Sequence, residues 1–230
     1  MNAFSRTELL IGKEGIDKLA KSTIAIFGIG GVGSYAAEAL CRCGIGRLVL
    51  IDYDDICITN INRQIHATRK TVGQSKVEVM KERLSDINPK AEMIIHKMLY
   101  NEQTSEILLL PEYDYVVDAI DMVSSKIHLI IKCIEMNIPV ISCMGAGNKL
   151  DPSKFVVTDI YKTSVCPLAK VMRYELRKRG VKELKVIFSK EEPIAPRAGV
   201  VDCKVGSISF VPSAAGLVVA SAVVRDILGL

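Results

Sequence analysis

A glycine-rich loop and a carboxylate about 20 residues beyond it are the first features of this sequence that could do chemistry. The loop follows a short apolar run at residues 23–27 and precedes a helical pattern. Its glycines fit G-x-G-x-x-G with one extra: Gly28, Gly30, Gly31 and Gly33. Such a loop turns tightly and brings backbone N–H groups close to phosphate oxygens. A second apolar run, residues 48–51, ends at Asp52, whose carboxylate can accept ribose hydroxyls. The combination predicts a nucleotide site; a glycine-rich structural turn is the alternative.

Two cations downstream favour a triphosphate over a nicotinamide dinucleotide. Arg63 lies in a polar, irregular stretch, residues 54–69, and Lys76 lies in the next helical pattern. A bound triphosphate needs such cations because its charge must be neutralised while pyrophosphate leaves. Asp121 follows a predicted strand, at the edge where open α/β sheets bind ligands. Its carboxylate could hold Mg²⁺ against the phosphates.

Alternating strand and helix patterns must position these side chains. Up to residue 143 the alternation predicts a Rossmann-like, doubly wound, mostly parallel α/β sheet. Beyond Gly147, residues 155–160, 184–188 and 207–211 are predicted as strands that could add in antiparallel fashion. We expect one domain over residues 1–230. Its nucleotide-binding core would span 1–150, and a substrate-side extension with a C-terminal helix would span 151–230.

Composition limits the classes of protein to which the chain can belong. It has 230 residues, of which 49% are hydrophobic, enough for a substantial core. Its net charge of +4 permits an anionic partner without requiring one. The seven cysteines include no C-x-x-C pair, which argues against a disulfide framework and a four-thiolate zinc site, so we expect no zinc. The polar start shows no cleavable apolar leader, and we expect a cytoplasmic protein.

The apolar stretch at residues 214–230 requires a choice between a membrane span and a core helix. Arg225 and Asp226 interrupt it, and the uninterrupted part is shorter than the roughly 20 residues that a span needs. We therefore predict a buried helix and no membrane span. Its small residues would also permit close approach at a subunit contact.

Four other polar residues have plain structural interpretations beside functional ones. Cys166 lies in a loop where a nucleophile could sit, but a buried or incidental thiol is the simpler interpretation. His66 either contacts phosphate or is a solvated loop histidine. Asp118 most simply orients a strand end, while Asp54 either supports the loop through hydrogen bonds or assists a metal.

Five spaced motifs together have the pattern of a known superfamily. They are Gly28-x-Gly30-Gly31-x-Gly33, Asp52-x-Asp54, Asn60-x-Asn62-Arg63-Gln64, Lys76 and Ala119-Ile120-Asp121. This set resembles the ubiquitin-activating-enzyme-like (ThiF/MoeB/HesA) adenylating superfamily. The resemblance implies ATP and Mg²⁺ as cofactors, with Asp121 as the metal ligand. Besides the loop glycines, it implies six nucleotide-binding residues: Asp52, Asp54, Asn60, Arg63, Gln64 and Lys76.

The resemblance also implies a catalytic set and a subunit arrangement. The phosphates would be held by Arg63 and Lys76, with Asp121 serving the metal. Arg6 matches an N-terminal arginine that reaches the partner subunit's ATP in this superfamily, which implies a homodimer. A sulfur-transfer protein partner, as in some relatives, and a monovalent cation site both stay open.

Stretches outside the shared motifs resemble one family within the superfamily, the tRNA threonylcarbamoyladenosine dehydratases. They are residues 4–12, 144–152, 158–163 and 206–216. This likeness implies adenylation of a carboxylate on a modified adenosine next to the tRNA anticodon, and then ring closure with loss of AMP. The alternative is an adenylyltransferase that activates the C-terminus of a ubiquitin-like sulfur carrier. Such relatives typically carry two C-x-x-C pairs, which this chain lacks. A nucleotide-binding regulatory or dehydrogenase-like module is a third, more distant, possibility.

Basic residues crowd one later segment and suggest a place for tRNA. A helix is predicted over residues 167–179, where Arg173 and Arg177 are spaced to share one face. With Lys178 they form a predicted phosphate-contact patch. The alternative is a solvated helix face with its basic residues at the negative end of the helix dipole.

Overall fold

The computed structural model describes residues 3–195 and 205–230 of the chain. Seven strands form a single sheet: β1 (Thr23–Phe27), β2 (Arg47–Ile51), β3 (Glu92–His96), β4 (Tyr115–Asp118), β5 (Val140–Cys143), β6 (Phe155–Asp159) and β7 (Lys185–Ser189). Seven α-helices accompany it in the described part: α1 (Ser5–Lys21), α2 (Gly33–Arg42), α3 (Lys76–Ile87), α4 (Ser105–Leu108), α5 (Val123–Glu135), α6 (Pro167–Lys178) and α7 (Phe210–Leu228).

The order of the strands places a crevice beside β1. Across the sheet the order is β3-β2-β1-β4-β5-β7-β6, and every neighbouring pair is parallel except β7 with β6. The chain builds outward from β1 to β3 and then continues on the other side at β4. Such a switch point leaves a crevice at the carboxyl ends of the strands, where ligands bind in this class of sheet. The predicted doubly wound, mostly parallel fold is confirmed.

The centre of the sheet is buried on both faces, where apolar side chains of the strands pack against the helices. One core cluster joins β1 and β2 to α2, α3 and α7, and a second joins the opposite face to α4 and α5. A third lies between α5, α6 and the β7 edge. Every residue of β1 is buried, as is usual for a central parallel strand.

Two features of the C-terminal part differ from the sequence prediction. Residues 207–211 are not a strand, because α7 begins at Phe210. Strand β7 is parallel to β5, so only β6 adds to the sheet in antiparallel fashion.

Helix α7 is the core helix that the sequence predicted. By length and composition this 19-residue helix could cross a membrane. One side of it is nevertheless buried against the core through Val211, Ala215 and Val219. At Gly216 the helix approaches α2 so closely that a Cβ would lie 2.4 Å from the carbonyl oxygen of Val32. Glycine at this position therefore permits the packing of α7 on α2.

Candidate active site

A cavity of about 1020 Å³ opens at the carboxyl ends of β1, β2 and β4. It brings together residues that are far apart in the chain, from the glycine loop to the turn after β4. Ten of the predicted site residues line it: Gly28, Gly30, Gly31, Asp52, Asp54, Asn60, Arg63, Gln64, Lys76 and Asp121.

The glycine loop owes its shape to two close approaches of the backbone. Gly28 has a φ of 91°, and a Cβ there would lie 2.6 Å from the carbonyl oxygen of Ala119. Gly33 does not line the cavity; a Cβ on it would collide with the carbonyl oxygen of Gly28. Gly33 thus holds α2 against the loop, which directs the N-terminal end of α2 at the cavity.

Asp52 fastens the glycine loop to the end of β2. Its Oδ2 accepts from the backbone N–H of Ile29 over 2.6 Å, and its Oδ1 accepts from the N–H of Asp54 over 2.9 Å. Burial raises the pKa of the Asp52 carboxyl, although the nearby charge of Lys76 and the two N–H groups act in the opposite direction. The side chain is in place to accept a ribose hydroxyl at the floor of the cavity.

Two cations, Lys76 and Arg63, line the cavity. Lys76, in the first turn of α3, donates to Asp54 Oδ2 over 2.6 Å and lies 3.8 Å from Asp52 Oδ1. Arg63 donates from Nη1 to the carbonyl oxygen of Thr59 over 2.8 Å and to Asn62 Oδ1 over 3.0 Å. Both side chains are therefore held by protein oxygens, which fixes where each positive charge lies.

Two amide side chains line the same cavity, and only one of them has a hydrogen-bond partner for its oxygen among the described residues. Asn60 closes a short 3-10 helix, Ile58–Asn60, where its Oδ1 accepts from the N–H of Cys57 over 3.0 Å. Gln64 is buried, and within the described part of the chain its Oε1 has no hydrogen-bond partner. A buried amide oxygen without a partner is costly. Gln64 is therefore in place to accept a hydrogen bond from a ligand.

A buried ion pair that sequence reasoning missed supports Asp121. Lys126 Nζ donates to Asp118 Oδ2 over 2.8 Å and to the carbonyl oxygen of Ile120 over 3.1 Å. Ser142 Oγ donates a second hydrogen bond to Asp118 Oδ2 over 2.6 Å. The three side chains are fully buried under the turn that presents the exposed Asp121 to the cavity. Asp118 thus orients the strand end, as the sequence suggested.

The remaining predicted residues lie outside this cavity. Arg6 is exposed on α1 and does not line it. On α6, Arg173 donates to the carbonyl oxygen of Thr163 over 3.0 Å, and the Arg177 guanidinium lies 5.0 Å from the ring centroid of Tyr161. Lys178 is exposed and stacks over the exposed ring of Tyr174 at 4.3 Å. The two arginines do share a face, on which Arg173 is bonded to Thr163 while Arg177 is exposed beside Tyr161.

The structure contradicts the simpler interpretation of His66 and agrees with that of Cys166. His66 is not a solvated loop histidine: it is buried, and neither ring nitrogen has a partner among the described residues. Burial, with the charges of Lys76 and Arg83, lowers the pKa of His66 to about 4. Cys166 is a buried thiol at the start of α6.

Comparison with known proteins places the chain in a family. The sequence profile described as the ThiF family matches residues 4–230. The chain belongs to the ThiF family. Within the family it is 50% identical, over 242 residues, to the tRNA threonylcarbamoyladenosine dehydratase of Bacillus subtilis (strain 168). That match covers 99% of this chain and 95% of the relative.

Solved structures of another ThiF-family protein have the same fold. They are of the Escherichia coli tRNA N6-threonylcarbamoyladenosine dehydratase TcdA, in complex with AMP and with ATP. Their TM-scores are 0.93 and 0.91, at 37% identity, and 99% of this chain and 94% of that chain are covered. A more distant relative, the adenylyltransferase and sulfurtransferase MOCS3 of Aedes aegypti, is 35% identical over 141 residues, covering 60% of this chain and 32% of the relative.

Proposed function

We propose that this protein is an ATP-dependent tRNA threonylcarbamoyladenosine dehydratase. The observation that carries the proposal is the 50% identity to a protein of that name over 99% of this chain, which extends well beyond the nucleotide motifs. The charge arrangement of the cavity agrees with it, because Arg63 and Lys76 converge beside the glycine loop as a triphosphate requires.

ATP fits the polar half of the cavity with each part near a suitable group. The ribose would lie at Asp52, and the phosphates would cross the glycine loop towards Arg63 and Lys76. Asn60 and Gln64 would donate to or accept from the nucleotide at the opposite wall. Asp54 would give up part of its contact with Lys76 as the phosphates arrive.

The residues present fit Mg²⁺ bound together with the nucleotide. Mg²⁺ generally takes only one or two protein carboxylates when phosphates supply other ligands. Among the described residues no three His, Cys, Asp or Glu side chains group into a metal site, but Asp121 offers one exposed carboxylate at the cavity. Asp121 would hold the ion, which when bound neutralises phosphate charge. A monovalent cation site is not part of the proposal.

In the proposed reaction the carboxylate of the threonylcarbamoyl group attacks the α-phosphorus of ATP, and pyrophosphate leaves. The neighbouring urea group then attacks the acyl carbon and expels AMP, so the cyclic product is one water lighter. Arg63 and Lys76 stabilise the charge that develops on the phosphate oxygens during the first step. Adenylation is needed because AMP is a far better leaving group than a carboxylate oxygen.

Further parts of the proposal concern partners and organisation. The protein would act in the cytoplasm, where its tRNA substrate is, as a homodimer in which Arg6 reaches the partner's nucleotide. Residues 1–150 would form the nucleotide-binding core and residues 151–230 the substrate-side extension. A sulfur-transfer protein is an optional partner that the reaction itself does not need.

The alternative is activation of a ubiquitin-like sulfur carrier. The similarity to the MOCS3 relative covers only 60% of this chain, against 99% for the dehydratase, and the sequence has no C-x-x-C pair. These two observations favour the tRNA reaction.

The test uses the purified protein, ATP and tRNA that carries threonylcarbamoyladenosine. We expect release of pyrophosphate and AMP that depends on this tRNA, and a nucleoside one water lighter by mass spectrometry. The same tRNA without the modification is the matched control. Release that depends instead on the C-terminal glycine of a carrier protein, with none from tRNA, would establish the alternative.

A further inference from the structure

The cavity has a second half that the nucleotide does not account for. Its polar half carries the aspartates, Lys76 and the glycine loop, whereas the other half is walled by small residues: Ala146, Gly147, Val205, Gly206, Ser207 and Pro212. The two halves meet at Gly31, where a Cβ would lie 3.1 Å from Pro212 and 3.4 Å from the Cγ of Arg63.

One residue, Asn148, holds that wall together. Its side-chain Oδ1 accepts from the N–H of Gly206 over 2.6 Å, and its own N–H donates to the carbonyl oxygen of Gly206 over 2.8 Å. The carbonyl oxygen of Asn148 accepts from the N–H of Ile194 over 2.8 Å. Asn148 therefore joins two segments that are 58 residues apart in the chain.

The backbone of Asn148 has an uncommon conformation. Its φ of 58° is in the left-handed region, which costs a side-chain-bearing residue free energy. Beside it, Gly147 lies so close to Val205 that a Cβ would collide with the valine side chain. Strain and close approach together fix the distance between the two segments.

A hydrogen bond from Asn62 connects this wall to the nucleotide half. Asn62 Nδ2 donates to the carbonyl oxygen of Ser207 over 2.9 Å. Asn62 also accepts from Arg63 through its Oδ1 over 3.0 Å. The side chain of Asn62 therefore links the wall to Arg63.

We propose that the wall of Gly147, Gly206 and Ser207 is the subsite for the acyl substrate, and that Asn148 is its positioning residue. The inference rests on the proposed function, which makes the occupant a carboxylate-bearing ureido group, namely the threonylcarbamoyl side chain. A wall without bulky side chains leaves room for the ureido group beside the backbone, which Asn148 holds in place through Gly206. Asn148 acts through Gly206 and does not itself touch the substrate.

Three variants separate the hydrogen bond from the backbone conformation. Asn148→Gly keeps the left-handed conformation, which glycine adopts freely, and removes the acceptor for Gly206. Asn148→Asp retains an acceptor at the same place. Asn137→Gly is the matched control, because Asn137 has a φ of 56° but is exposed beyond α5, away from the cavity.

The experiment measures tRNA binding and turnover for the wild type and each variant. The wild type should bind tRNA with threonylcarbamoyladenosine more tightly than unmodified tRNA, and Asn148→Gly should abolish this difference and lower turnover about tenfold, the worth of roughly one hydrogen bond. ATP affinity should stay within about twofold. Asn148→Asp should restore discrimination, and Asn137→Gly should match the wild type.

The outcomes distinguish this inference from the proposed function. An active wild type with undiminished discrimination in Asn148→Gly would overturn the subsite. So would a loss of ATP affinity equal to the loss of discrimination, or a failure of Asn148→Asp to restore it, since either indicates a general structural role. A wild type that binds ATP but acts on no tRNA would refute the proposed function, and the subsite with it.

Discussion

Lys76 and Asp54 form an ion pair at the phosphate end of the cavity, with Nζ 2.6 Å from Oδ2. The lysine side chain is only 6% exposed, whereas that of Asp54 is 43% exposed. The cation is thus fixed in place, while water or a ligand can reach its carboxylate partner. Phosphate oxygens can therefore replace Asp54 without any movement of Lys76, a form of preorganisation for charge stabilisation.

Loss of either cation that we assign to the phosphates should abolish most turnover. We expect Lys76→Ala and Arg63→Ala each to lower tRNA-dependent pyrophosphate release by about 10²–10³-fold, because preorganised stabilisation of the transition state is lost. Lys81→Ala, on the exposed face of α3, is the control. Near wild-type rates in either cavity variant, with the control also active, would remove that residue from the proposed role.

Asp121→Asn tests the metal role. We expect the Mg²⁺ concentration for half-maximal activity to rise at least about tenfold, because the variant loses the one negatively charged ligand assigned to the ion. Calorimetric titration with ATP in the absence of Mg²⁺ should give wild-type affinity. Asp17→Asn, exposed on α1, is the control. An unaltered Mg²⁺ titration would contradict the assignment.

Arg6 should act on the nucleotide of the partner subunit. Mixing Arg6→Ala with Lys76→Ala protein should then restore roughly a quarter of wild-type activity, since about half of randomly mixed dimers would have one intact site. Each variant alone should be nearly inactive. Proven subunit exchange with no recovery of activity would show that the site is not shared.

The basic surface of α6 should contribute to tRNA affinity through two residues. Arg173 is bonded to Thr163, so its replacement would disturb the fold, and the test uses Arg177→Glu with Lys178→Glu. We expect weaker tRNA binding and a salt dependence whose slope falls by roughly 1 for each lost phosphate contact. ATP affinity should not change. The double change Lys81→Glu with Lys90→Glu is the charge-matched control; if both pairs behave alike, α6 is only a solvated face.

The buried His66 should make the protein less stable in mild acid. Its pKa is about 4 when folded, against roughly 6.5 for an unperturbed histidine, so below pH 6.5 the unfolded state binds the extra proton. This contribution to the free energy of unfolding is complete above about pH 6.5 and is lost as the pH falls towards 4. His66→Leu should flatten that dependence in urea titrations at a series of pH values, and His96→Gln should not. If the free energy of unfolding of His66→Leu falls in acid as steeply as that of the wild type, the depressed pKa of His66 is contradicted.

The regular elements around the nucleotide site could be predicted closely because their signals are local. The apolar run at residues 23–27 is bounded by the glycine loop, and it coincides with β1, Thr23–Phe27. The spacing between the loop glycines and Asp52 is also a pattern that can be recognised in the sequence. The strand prediction for residues 207–211 was wrong because polar and apolar residues alternate there as in a strand: Ser207, Ile208, Ser209 and Phe210. The packing of α7 on α2 favours a helix from Phe210 onwards. Pro212 lies in the first turn of α7, where its missing N–H costs no helical hydrogen bond.

The supporting residues of the site carry no such local signal. Lys126 looks like any lysine on a helix; its partner, Asp118, is on another element, and only the return of α5 onto the sheet brings them together. The same holds for Asn148, whose bond to Gly206 spans 58 residues. Sequence patterns identified groups that line the cavity, while tertiary structure alone reveals the residues that support them.

The burial of Lys126 against Asp118 links the assembly of the site to that of the core. A carboxylate enters an apolar interior only when its counter-charge arrives with it, since an uncompensated buried charge costs about 3–5 kcal/mol. Docking of α5 on β4 therefore supplies the counter-charge of Asp118, and Asp118 in turn accepts from the Ile120 N–H in the turn that ends at Asp121. A form of this chain with α5 undocked would leave that turn without the support of the ion pair.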